Sequence, residues 1–241
     1  MSPDLQIDGL SRASFPGAAD SFDRIRTIAE LRLVDVAPAA PGDEVAAIGF
    51  ALAFARSAAS DGLLIWTAPE RLFAEYGAPY AEGLAQFGLD LKRFLIVKTR
   101  TQVDALWAAE QGLTLPRAFV LSTIAPSKRS LDLTATRRLL LAAKKNRSAC
   151  ALIRFDAAHG GAAQLRFEVR AAPGESSVYG LGPPAFDVHL TRNRAGPAGG
   201  RWRLEWRPYE HAFKTVARPL DGGLSALPAD RPPAPATARA G

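Results

Sequence analysis

Leu31-Arg-Leu-Val-Asp-Val-Ala-Pro-Ala-Ala-Pro-Gly-Asp-Glu-Val-Ala-Ala-Ile-Gly-Phe-Ala-Leu-Ala-Phe54 reads as a buried strand, a turn of small residues and a helix. That is the frame of a nucleotide-binding loop, but its chemistry is missing. A phosphate-binding loop has the form G-x-x-x-x-G-K-[ST], in which the lysine neutralises the terminal phosphates and the hydroxyl holds magnesium. Here Gly42 is followed by Asp43 and Glu44. Two carboxylates repel a polyphosphate, although a helix N-terminus by itself favours negative charge. The bland reading of the pair is that both carboxylates stabilise the first helical turn through the macrodipole. The residues favour that reading over an altered nucleotide site helped by Thr67, Glu70 and Arg71.

Working outward, apolar runs alternate with helical patterns. Strands are expected at Leu31 to Ala37, Leu63 to Thr67, Phe94 to Thr99, Ala118 to Thr123 and Ala149 to Phe155. Continuous apolar runs of this kind suit strands buried on both faces of a parallel sheet. Helices are expected at Asp43 to Ser60, Pro79 to Phe87, Gln102 to Gly112 and Asp132 to Asn146. The final third changes period. Leu165 to Arg170, Phe186 to Thr191 and Trp202 to Trp206 alternate apolar with polar residues, as half-exposed antiparallel strands do, and the Gly-rich stretch Asn193 to Gly200 suits a hairpin turn. The expected fold class is α/β, a mostly parallel central sheet flanked by helices and finished by an antiparallel meander.

Residues 1 to 22 are turn-rich and read as a loosely docked arm. The domain is expected over 23 to 217. The Pro/Ala-rich stretch from 218 to 241 has no aromatic residue and too little apolar surface to offset its ordering entropy, so it reads as a disordered tail, with Leu220, Leu224 and Leu227 as the alternative partner-binding points.

With 241 residues, 48% of them hydrophobic, the chain can bury one large core. A net charge of +6 suits contact with nucleic acid or an acidic protein surface without selecting between them. Cys150 is the one cysteine, so there is no disulfide framework and a reducing compartment is compatible. The sequence shows neither a signal-peptide segment nor an apolar run long enough to span a bilayer, which places the chain in the cytoplasm, off the membrane. His159, His189 and His211 are scattered without metal-ligand spacing, and Ser122 and Ser148 have no local base. No catalytic residue, metal or cofactor is expected.

Two basic clusters stand out. The helix from Asp132 carries Arg137, Arg138, Lys144, Lys145 and Arg147, preceded by Lys128 and Arg129. Arg137 and Lys144 share a face, and the cluster is either a phosphate- or partner-binding patch or the solvated face of a crossover helix whose C-terminal cations suit the dipole. Arg192, Arg194, Arg201 and Arg203 surround Trp202 and Trp206. Interleaved tryptophans and arginines can stack on single-stranded bases. The alternation of Trp202, Leu204 and Trp206, however, puts both rings on one face, where covering a core is the more ordinary task.

In order, these segments resemble the core of the RecA-like recombinase ATPases. Arg32 to Gly42 is similar to that family's first strand and loop, and Leu64-Ile-Trp-Thr-Ala-Pro-Glu70 to the strand delivering the catalytic glutamate. Phe119 to Ala125 is similar to the strand ending in the magnesium-orienting aspartate, with Ser122 or Thr123 in its place. Leu190 to Arg194 with Trp202 to Trp206 resembles the basic hairpin that reaches a neighbouring subunit's nucleotide. The segment Arg154 to Gln164 is shorter than a recombinase DNA-binding loop. Within that superfamily, Ile48 to Ala55, Tyr80 to Asp90, Ala105 to Glu110, Leu131 to Leu139 and Trp202 to Trp206 resemble the ImuA family over roughly residues 30 to 207. The resemblance implies a RecA-like domain with a dismantled site at Gly42, Asp43, Glu44, Glu70 and Ser122. It also implies a non-catalytic adaptor in damage-induced translesion synthesis, with a Y-family polymerase-like protein of the ImuB type and an error-prone C-family DNA polymerase as partners. RecA is a further candidate partner, DNA contact is weakly supported, and the implied location is the nucleoid after damage. Alternatives are a degenerate RecA-like ATPase and a SulA-like division inhibitor.

Overall fold

A computed structural model describes residues 22–23, 31–58, 62–126, 131–155, 160–174, 182–194, 196 and 198–216. The proposed N-terminal arm apart from Phe22, the basic pair Lys128 and Arg129, and the C-terminal tail lie outside the described residues.

Nine strands form one sheet: β1 Leu33–Pro38, β2 Leu64–Pro69, β3 Phe94–Thr99, β4 Phe119–Ile124, β5 Ala149–Arg154, β6 Leu165–Ala172, β7 Ala185–Asn193, β8 Arg201–Arg207 and β9 Ala212–Val216. Their spatial order is β3-β2-β4-β5-β1-β6-β7-β8-β9. The six from β3 to β6 run parallel, and β7, β8 and β9 continue antiparallel. The change of hydrophobic period falls one strand before the change of direction: β6, expected among the antiparallel strands, runs parallel with β1 and pairs antiparallel only on its other edge, with β7. β2 and β4 are buried along their whole length, as continuous apolar runs in a parallel sheet should be.

Among the described residues the layers are completed by helices α1 Glu44–Ala58, α2 Glu70–Tyr76, α3 Ala81–Gln86, α4 Gln102–Gly112 and α5 Leu133–Asn146, with a 3₁₀ turn at Leu91–Arg93. Neighbouring residues on each strand choose opposite layers. Val34, Val36 and Trp66 join the core under α1, whereas Leu33, Ile65, Val120 and Leu152 join the one under α4 and α5. α1 is buried on most of its circumference, with Ala47, Phe50, Ala51, Leu52, Ala53, Phe54 and Ala55 all inaccessible. Gly49 faces Phe186, whose ring would lie 3.4 Å from an added Cβ, at the edge of ordinary contact. Phe50 sits 5.4 Å from both Phe167 and Phe213, and Phe22 closes the cluster 5.5 Å from Trp202. Trp202 and Trp206 face this core, the ordinary reading of their spacing.

The expected elements are present, with ends shifted by one or two residues except for β3 and α4, which match. Pro69 ends β2, so Glu70 opens α2 and is exposed. α2 and β9 had no periodic signal: each is too short, at 7 and 5 residues, to display a period.

The last turn of α1 is tied to the β8–β9 connection. Arg56 Nε donates to Gly88 O at 2.9 Å, and Arg56 Nη2 donates to His211 Nδ1 at 2.9 Å. Burial, then the Arg56 charge, pushes the His211 pKa below its ordinary 6.5. The unfolded chain therefore takes up this proton at a higher pH than the folded one. The contribution is intact above about pH 6.5 and is lost as pH falls from there through the lowered folded pKa. His211→Asn, which tolerates the left-handed backbone at φ 49, should remove that pH slope from urea midpoints. An unchanged slope would assign the titration elsewhere.

Candidate functional site

The loop after β1 lies at the C-terminal edge of the parallel strands, the edge where open α/β sheets bind ligands. Gly42 takes φ +99 there, a conformation favouring glycine. Its N–H donates to Glu44 Oε2 at 2.8 Å. Asp43 N–H donates to Ala40 O at 3.1 Å, while Asp43 Oδ1 accepts from Ala171 N–H at 3.2 Å and Oδ2 stands 3.6 Å from Arg170 Nε. Ala39 N–H donates to Val169 O at 2.8 Å. The loop is stitched onto β6, and two amides of the phosphate-loop frame, those of Gly42 and Asp43, are bonded within the loop. Glu44 and Asp43 thus do more than favour a helix dipole: Glu44 takes up the Gly42 amide, and Asp43 fastens the loop to β6.

The other residues of the frame are also engaged. Ser122 is fully buried in β4 and its hydroxyl accepts from Thr67 Oγ1 at 3.0 Å. On the opposite face Thr123 Oγ1 accepts from Trp66 Nε1 at 2.9 Å. These side chains link neighbouring strands β2 and β4, and β5 separates β4 from β1. Ser122 lies level with Leu152 and Asp35, in the middle of the strands, so the structure does not bring it to the loop at Gly42. Cys150 is buried, and burial, then Asp35, pushes its thiol far above the ordinary range, so it is inert as a nucleophile. Among the described residues no group of three or more His, Cys, Asp or Glu is placed to hold a metal ion, and no helix is long and apolar enough to cross a membrane.

The basic residues divide by environment. Arg203 makes a two-pronged contact with Asp187 at 2.9 and 2.7 Å, and Arg194 donates to Ala163 O at 3.0 Å and Gly161 O at 2.9 Å. Arg194 thereby anchors the β5–β6 connection, and Arg201 remains exposed at the start of β8. On α5, Arg138 reaches Glu110 of α4 at 2.6 Å, while Arg137, Lys144 and Lys145 are exposed. Asp132 caps the helix by accepting from Thr134 N–H at 3.1 Å, and Arg147 ends it in the left-handed conformation at φ 53.

A charged cluster escaped the sequence reading. Asp35 of β1 is fully buried, with Oδ2 3.6 Å from Arg154 Nη1 and 3.9 Å from Arg166 Nη1. Arg192 stands opposite Arg166 across the β6–β7 pair. Burial lowers the Arg166 pKa, Asp35 opposes this, and the like charges of Arg154 and Arg192 add to the lowering. The available signal was one carboxylate inside the run Leu33-Val-Asp-Val36, since a charge in a strand buried on both faces needs a buried partner.

No family model matches the chain. Over 189 residues, covering 70% of this chain and 72% of the relative, it is 30% identical to Protein ImuA from Caulobacter vibrioides strain NA1000 / CB15N, and the same figures hold for strain ATCC 19089 / CB 15. The chain belongs to the ImuA family. A solved structure of SulA from Pseudomonas aeruginosa also overlaps, with a TM-score of 0.39 and 20% identity over 51% of this chain and 97% of that one. In this ImuA-family member the carboxylates of the loop after β1 are taken up by the Gly42 and Ala171 amides and by Arg170.

Proposed function

We propose that this chain is a non-catalytic RecA-like adaptor of damage-induced translesion synthesis, joining a Y-family polymerase homologue to an error-prone C-family polymerase. The observation that carries the reading is the loop at Gly42, closed on Glu44 and fastened to β6 through Asp43. Phosphoryl transfer rests on positioning and on neutralisation by lysine, magnesium and arginine. Here the lysine and metal-hydroxyl positions are carboxylates, and Ser122 is bonded within the sheet. The RecA-like part of the reading is supported by the order of elements: β1, β2 and β4, which resemble the loop, glutamate and aspartate strands, lie in one parallel sheet that passes into an antiparallel meander. Such a frame is retained for its surface, and family membership supports a role in damage-induced mutagenesis.

Co-expression with the Y-family polymerase homologue from the same genome is expected to yield a complex that survives moderate salt, and deletion of the chain should abolish induced mutagenesis. Absence of both would sink the adaptor reading. Calorimetry with magnesium and ATP is expected to show no micromolar binding; heat that disappears in Glu70→Ala would restore the ATPase alternative. Filamentous cells on overexpression, with unchanged mutation rate, would instead select the division-inhibitor reading.

A further inference from the structure

The β8–β9 turn, the end of α3 and the residues before β7 enclose a groove of about 720 Å3 whose lining includes Phe87, Pro183, Pro184, Tyr209 and Glu210. The carbonyls of Phe87 and Pro184 accept from the side chain and the backbone of Trp206, each at 2.8 Å, so a fully buried residue fixes both of them. The aromatic rings at its edge are left in water. Tyr209 is 98% exposed, and Tyr80, 67% exposed, lies 3.5 Å from where a Cβ on Gly83 would sit. Aromatic-lined grooves of this kind take polyproline II segments, whose prolines at i and i+3 share a face and whose backbone is ordered before binding.

The sequence after β9 carries such a segment, Asp230-Arg-Pro-Pro-Ala-Pro-Ala236, in which Pro232 and Pro235 have that spacing. Its charges match the groove. Glu210 is exposed and forms no ion pair with any described residue, and Arg207 also lines the groove, so one charge of each sign faces Arg231 and Asp230. The reach is sufficient. β9 runs from the turn to Val216, about 17 Å at strand rise, and the chain from Val216 to Arg231 extends to roughly 50 Å. As a flexible linker it has a mean span of about 20 Å, close to the distance required, which favours the intramolecular contact. We propose that Asp230 to Ala236 docks in polyproline II form into this groove of its own chain, with Arg231 on Glu210 and Asp230 toward Arg207. The inference is independent of the adaptor reading.

In the full chain carrying 3-fluorotyrosine, a nitroxide on Ala236→Cys is expected to broaden the ¹⁹F resonance assigned through Tyr209→Phe; Cys150, the one native cysteine, is buried and escapes the label. Pro232→Gly with Pro235→Gly should abolish the broadening, as should an excess of synthetic peptide spanning residues 229–237. Glu210→Lys should raise the released fraction about two- to fivefold, and adding Arg231→Glu should restore docking. Broadening that is absent from the wild type, or that survives the glycine substitutions, overturns the proposal. Broadening with label and fluorine on separate molecules would give the groove to the tail of a second copy. A Tyr209 shift with the peptide but no broadening by the tail would give it to another chain's proline-rich segment. Either result also overturns the proposal.

Discussion

Asp35→Ala is expected to destabilise the fold by about 3–5 kcal/mol, because it removes the carboxylate from between two buried guanidiniums. Arg154 is fully buried and Arg166 nearly so, and they lie 3.6 and 3.9 Å from the same oxygen. Without it, two desolvated cations and the nearby Arg192 repel across β5, β1, β6 and β7, the centre of the sheet. Asp35→Asn keeps the shape and loses the charge, so it should fall in the same direction. Urea midpoints at constant m measure the loss. Paired with Arg154→Ala, the double variant should lose less than the sum of the singles by over about 1 kcal/mol, since the second removal takes away a cation the first left uncompensated. Losses that add within about 0.5 kcal/mol would show that the groups act independently.

Trp206→Ala should cost a similar amount, about 3–5 kcal/mol, through a different cause. The indole is fully buried, stacks on Phe87 with ring centres 5.9 Å apart, and lies 5.1 Å from Phe213. Its Nε1–H donates to Phe87 O at 2.8 Å, tying the end of α3 to the meander. Truncation leaves a cavity between α3, β8 and β9 and strands that carbonyl. Trp206→Phe retains much of the apolar contact and loses the hydrogen bond, so its smaller cost, about 1 kcal/mol from the bond, separates the two contributions. A wild-type midpoint for the alanine variant, by urea or near-ultraviolet dichroism, would remove Trp206 from the core that holds the meander.

Both sites show where sequence reading reaches. The alternation of Trp202, Leu204 and Trp206 placed both rings on one face, and the structure buries them there. No local pattern said that the carbonyl of Phe87, 119 positions away, would meet Trp206. The Asp132 helix was visible from its cap and period, yet the pairing of Arg138 with Glu110 came only from the packing of α5 beside α4. Four arginines near the β7–β8 hairpin looked equivalent in sequence. In the sheet, Arg203 belongs to Asp187, Arg194 to the carbonyls of Gly161 and Ala163, Arg201 to solvent, and Arg192 lies opposite Arg166 on β6.

The loop at Gly42 draws the boundary most sharply. Local chemistry sufficed to show a strand-turn-helix frame without lysine or hydroxyl, because motif positions are contiguous and a carboxylate beside a polyphosphate is repelled wherever it sits. The same holds for the layer order, since period-two and period-3.6 patterns are properties of neighbouring residues. Packing in three dimensions settled what Asp43 and Glu44 do instead. Glu44 closes on Gly42, within the loop, but Asp43 reaches Ala171 and Arg170, 128 and 127 residues along the chain, which meet it only because β6 pairs with β1. Hydrogen bonds and ion pairs act over a few ångströms regardless of sequence separation, so their partners exist only once the chain has folded.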